Sequence, residues 1–144
     1  MFKAGKRMFE ARYRKIVQAS AFYDVLVTAP FATPWTFAWT HGLLGQLAPL
    51  APFEPIHVLF ANMMASLILV WSVLRLRHPH PVFGLYDSLT RFLFLVWELY
   101  FLLFLGVSPV LWMFAAFEFV WLVIQLVGYL ILRRKIGKSI ILPI

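Results

Sequence analysis

The sequence contains no cysteine, and only 13% of its 144 residues are Asp, Glu, Lys or Arg. Without thiols there is no disulfide framework, no thiolate metal site and no thiol redox chemistry. A soluble domain carries roughly a quarter of its residues as charges. Here the shortfall accompanies 62% hydrophobic residues, which excludes an ordinary water-soluble globule and makes the bilayer the natural solvent. Acids are scarcer than bases, six against thirteen, giving a formal charge of +7. That excess would suit nucleic acid if it formed one face of a folded module, but the cations sit as short flanks of apolar runs, so no nucleic-acid partner is expected. Phosphate loops, dinucleotide fingerprints and nucleophile elbows are absent. His78 and His80 lack further metal ligands nearby in the sequence, and the four histidines do not pair at membrane depth as haem would need. We expect neither metal nor cofactor.

What the chain has is long apolar runs. About 20 helical residues cross the ~30 Å hydrocarbon layer, and four stretches fit, at about 16–37, 56–74, 86–105 and 110–132. The expected fold is all-α, one integral membrane domain over 1–144 forming a four-transmembrane-helix bundle. Its first helix is kinked, because Asp24, Pro30 and Pro34 interrupt that span and membrane helices tolerate proline where neighbours satisfy the freed carbonyls. The Gly- and Pro-rich stretch 38–55 reads equally as a surface loop or a re-entrant half-helix. Asp24 also breaks the apolar stretch of an apparent secretory signal, and Pro30 directly follows the would-be cleavage residue Ala29, so the N-terminus is read as retained.

Orientation follows from the basic residues, which are retained near cytoplasmic span ends. Lys3, Lys6, Arg7, Arg12, Arg14 and Lys15 precede the first span; Arg75, Arg77 and Arg91 flank the second connection; Arg133, Arg134, Lys135 and Lys138 follow the last span. The other two connections have none. Four spans with both termini cytoplasmic satisfy every cluster, and we expect a multi-pass protein of the cell membrane, of the bacterial inner-membrane kind. Phe2, Phe9 and Tyr13 alternate with the cations of residues 1–15, which suggests an interfacial segment on anionic lipid; 133–144 is a basic tail.

Helical rise assigns depths to the polar residues inside the spans. Counted from the inner surface, Glu98 lies at about 18 Å, Glu118 at about 21 Å, Asn62 level with them and Asp24 nearer 13 Å. Ser20, Asp24 and Thr28 share one helical stripe; Asp87, Arg91 and Glu98 a second; Glu118, Gln125 and Tyr129 a third. Asp87 and Arg91, four residues apart, read as an ion pair. Glu98 is expected to be a neutral acid or to share a proton with Glu118, because an ionised, unpaired carboxylate is costly in hydrocarbon. The span still inserts: a central acid costs roughly 3 kcal/mol, and each of its many Leu, Phe and Val residues returns about 0.3–0.6.

Two classes of function fit. The reading that asks least of these residues is a non-enzymatic accessory protein or subunit of a larger membrane assembly, hetero- or homo-oligomeric. The alternative is an intramembrane enzyme or binder of a lipophile such as a lipid, quinone or sterol. There Glu98 and Glu118 would handle a proton, and Asp24, Asn62, Trp97, Tyr100 and Trp121 would shape the site. A proton-coupled transporter component ranks third, since no inverted repeat is discernible. No motif matches a known family residue by residue.

Overall fold

In a computed structural model, residues 2–136 are described and form five α-helices and one 3₁₀ turn, with no strand among the described residues. The side chains of Phe2 and Lys3 and the tail from 137 on, with Lys138, lie outside the described residues. Helix α1 spans Phe2–Thr28, the 3₁₀ turn Ala29–Phe31, α2 Pro34–Leu44, α3 Pro55–Arg77, α4 Pro81–Phe104 and α5 Leu111–Ile136.

Proline sets most of these boundaries. Pro34, Pro55 and Pro81 each open a helix at its first position, where the missing N–H has no intrahelical partner to lose and the fixed φ is already helical. Thr33 caps α2 by accepting from the Thr36 amide at 3.2 Å, and His80 caps α4 by accepting from the Val82 amide at 3.3 Å. The α4–α5 connection turns at Gly106, which has φ +62, the left-handed region that glycine enters without steric cost.

Two sequence expectations change at this level. The first span is not a kinked helix: after Thr28 the chain turns through Ala29–Phe31, and the next helix leaves at 98°. Pro30 and Pro34 between them end one helix and begin another. The open segment 38–55 is therefore helical up to Leu44 and irregular afterwards. Two helices, α3 and α5, are long and apolar enough to cross a membrane, or three if the bent α1–α2 pair counts as one. Helix α4 is long enough, with 24 residues, but any 18 consecutive residues of it include Asp87, Arg91 and Glu98.

Helix α1 runs through the centre. Its Tyr13, Val17, Ser20, Ala21 and Asp24, spaced at helical intervals along one stripe, are all buried. Near one end the Tyr13 ring fits between two glycines: a Cβ on Gly84 would lie 2.9 Å from Tyr13 Cζ, and one on Gly128 3.0 Å from its ring. Tyr13 packs with Val17, Tyr129 and Leu132, and its hydroxyl donates to the Gln125 carbonyl at 3.0 Å. The expected interfacial segment and first span are thus parts of one continuous helix, and Tyr13 is an internal residue. Further along, Gln18 donates to Leu76 O at 3.1 Å, and Asn62 Nδ2 donates to Phe31 O at 2.7 Å, so α1 and α3 lie antiparallel. The outer faces of α3, α4 and α5 expose Leu, Val, Phe and Met in quantity, which suits hydrocarbon.

Candidate functional site

The inward stripes of α1, α3, α4 and α5 meet in a buried ion cluster. Arg75 of α3 is fully buried and binds Asp24, with its Nη1 also 2.7 Å from Asp87 Oδ2. Arg91 of α4, 2% exposed, reaches three carboxylates on three helices. Its Nη2 lies 2.6 Å from Asp24 Oδ1, its Nε 3.0 Å from Asp87 Oδ2, and its Nη1 2.9 Å from Glu118 Oε2. Ser20 Oγ accepts from Arg75 at 3.2 Å and Arg91 at 2.9 Å, and stands 3.1 Å from Asp87 Oδ2 as donor. Trp71 Nε1 donates to Asp87 Oδ1 at 3.1 Å. The two guanidinium groups sit over indole rings, Arg75 over Trp71 at 5.4 Å and Arg91 over Trp121 at 6.0 Å. Planar, delocalised guanidinium suits this combination of multiple donors and aromatic stacking in a way that ammonium does not.

Two cations face three carboxylates, so with all five ionised the cluster holds one net negative charge. A small hollow of about 60 Å³ borders it, lined by Tyr23, Asp24, Asp87, Arg91 and Glu118 among others. It has room for water, not for a lipophile. Two larger hollows lie on either side of α2. One, about 490 Å³, is walled by Phe37, His41, Phe53 and Asn62 between α2 and α3. The other, about 290 Å³, lies between the α1–α2 bend and α5.

No family model, curated protein or solved structure matches this chain. The site is therefore read from its own geometry. Asp24 and Glu118 are brought together through Arg91. Glu98 is not hydrogen-bonded to Glu118; it is half-buried, and its Oε2 has no hydrogen-bond partner among the described residues. Asn62, expected level with the acids, bonds the α1 bend and lines the 490 Å³ hollow instead. Trp97 and Tyr100 pack edge to face at 6.4 Å on an outer face, 60% and 45% exposed, whereas Trp121 packs on Tyr23 at 5.7 Å beside Arg91. The structure thus brings Asp24, Glu118 and Trp121 together, keeps Glu98 within electrostatic reach of Glu118 without a hydrogen bond between them, and leaves Asn62, Trp97 and Tyr100 elsewhere.

Sequence reasoning missed Arg75, Ser72 and Trp71. A cation at the end of a span reads as a topology signal, and that reading hid Arg75. The signal that finds it is the small-residue stripe of α3: Ala61, Ala65, Ser72 and Arg75 follow helical spacing, and the last three are buried.

Proposed function

We propose that this is a four-span membrane protein with cytoplasmic ends, serving as a non-enzymatic component of a larger membrane assembly. The carrying observation is that the buried charges are engaged with one another. Asp24, Arg75, Asp87, Arg91 and Glu118 form one network that ties four helices together, and none of them lines either hollow of ligand size. Intramembrane ionisable residues mark function by default, but groups occupied in this way act first as a clasp between helices. The clasp also supports α4 as a span, since Asp87 and Arg91 enter the bilayer already paired. The cations at the ends of α1 and α5 suit the anionic lipid of an inner leaflet.

Extraction in mild detergent, followed by native mass spectrometry of the tagged full chain, tests this reading. The expected result is a stable complex well above the 16.7 kDa monomer, retained when Glu98→Gln is introduced. A monodisperse monomer whose ligand-induced stabilisation or turnover disappears in Glu98→Gln overturns it in favour of an intramembrane enzyme or binder.

A further inference from the structure

Asn62, the chain's only asparagine, stands half-buried on α3. Its Nδ2 donates to Phe31 O at 2.7 Å. Because a carbonyl can only accept, that bond fixes which end of the side-chain amide is nitrogen and which is oxygen. Oδ1 accepts from no donor among the described residues, yet it is open to a molecule the size of water. The side chain that carries it lines the hollow of about 490 Å³ between α2 and α3. An acceptor beside largely apolar walls is stabilised by any donor brought to it.

The walls define what would bring that donor. Phe37, His41 and Phe53 pack on one another with ring centroids 5.1 to 6.3 Å apart, and Phe37 is buried. Pro34 and Pro55, the first residues of α2 and α3, line the same hollow, and their fixed φ stiffens both of its edges. The volume falls within the ~300–1,000 Å³ typical of small-molecule sites, which combine apolar and aromatic walls with a few placed polar groups. Asn62 and His41 carry the only polar side chains among the described lining residues, and none of those residues is Asp, Glu, Lys or Arg. His41 Nε2 lies 3.1 Å from Ala51 O, so Nε2 holds the hydrogen and Nδ1 of a neutral ring is a second acceptor. Acceptors therefore outnumber donors on these two side chains, where only the second hydrogen of Asn62 Nδ2 is left to give.

We propose that the hollow between α2 and α3 binds a membrane-soluble phenol, its ring against Phe37 and Phe53 and its hydroxyl donating to Asn62 Oδ1. An aromatic ring suits these walls because offset and edge-to-face contacts between rings add to the area they bury. A hydroxyl suits the amide because it supplies the missing donor, which an ether or ester of the same ring cannot. The absence of charged side chains among the described lining residues rejects an ionised head, whose desolvation nothing there would offset. This site is independent of the assembly role proposed above, which uses the ion cluster and not the hollow.

The test uses the full chain in lipid nanodiscs and two photoreactive probes, a diazirine-bearing phenol and its methyl ether, with labelling of the protein normalised to labelling of the lipid. The phenol is expected to label peptides containing Phe37–His41 and Phe53–Asn62 about three- to tenfold more than the ether does, the worth of one hydrogen bond. Excess 4-propylphenol should compete, and 4-propylanisole should not. Ala38→Trp, which fills the hollow from α2 and leaves Asn62 in place, should abolish the labelling, and Asn62→Leu should bring the phenol down to the level of the ether. Equal labelling by both probes, or phenol labelling confined to other peptides of the unmodified protein, overturns the proposal without recourse to any variant and leaves the hollow to water or lipid chains. So does undiminished labelling of Ala38→Trp.

Discussion

Arg91 donates to carboxylates on α1, α4 and α5, while Arg75 bridges Asp24 and Asp87 from α3. Removing one partner from such a buried network strands the others, which typically costs about 3–5 kcal/mol. Arg91→Leu and Arg75→Leu are therefore expected to lower the midpoint of unfolding sharply in detergent melts or to remove the protein from the membrane. Glu98→Leu has the opposite expectation, a change within about 1 kcal/mol or a gain, because it replaces a carboxyl oxygen left buried and unpartnered. Equal losses in all three variants would refute the assigned partners. Much of this cluster was legible: the stripes Ser20–Asp24, Asp87–Arg91 and Gln125–Tyr129 follow from helical periodicity, and those residues are buried. The pairing was not legible, because depths counted along backbones ignore the reach of a guanidinium. Arg91 joins Asp24 to Glu118 across a height difference that had favoured Glu98 and Glu118 as partners.

At the scale of elements, α2 and α4 start where proline follows a capping residue, at Thr33–Pro34 and His80–Pro81, whereas the apolar runs alone carry the first span through Pro34 and begin the third at 86. The break in the first span was misread because membrane helices tolerate single prolines; two of them four residues apart, with a capping threonine between, do not bend a helix but end it. Helix α4 poses the converse problem. Its charges disqualify it by composition, yet Asp87 and Arg91 are matched by α1 and α3. Its insertion should therefore depend on other helices. The chain has no cysteine, so a single Val96→Cys offers a clean reporter, expected to resist a membrane-impermeant maleimide in intact cells and in inverted vesicles alike. Adding Asp24→Ala, which takes a carboxylate from both arginines, should raise labelling severalfold. Labelling of Val96→Cys in otherwise unmodified protein, from either side, would show that α4 does not lie in the bilayer.

Over the whole molecule, the packing gathers the cations at one end. Lys6 Nζ donates to Ile136 O at 3.5 Å, and Lys135 Nζ lies 4.0 Å above the Phe9 ring, so the start of α1 and the end of α5 are neighbours. Arg77 closes α3 at that same end, where Gln18 reaches Leu76. Lys6, Arg7, Arg12, Arg14 and Lys15 of α1, Arg77, and Arg133, Arg134 and Lys135 of α5 are exposed there, offset by Glu10, which pairs with Arg14 at 2.6 Å. The stretch after α2, around Gln46, belongs to the opposite end, since Phe31 and Asn62 meet far along α1 from Gln18 and Leu76. A membrane crossed by this bundle would have all of those cations on one face, and such clusters are retained in the cytoplasm. A reporter fused after Ile144 is therefore expected to be active only as a cytoplasmic fusion, and one inserted after Gln46 only as an external one. Reporters on the same side would eliminate the four-span arrangement. An external C-terminus would reverse the orientation, and the proposed contact of the basic end with an anionic inner leaflet would fall with it.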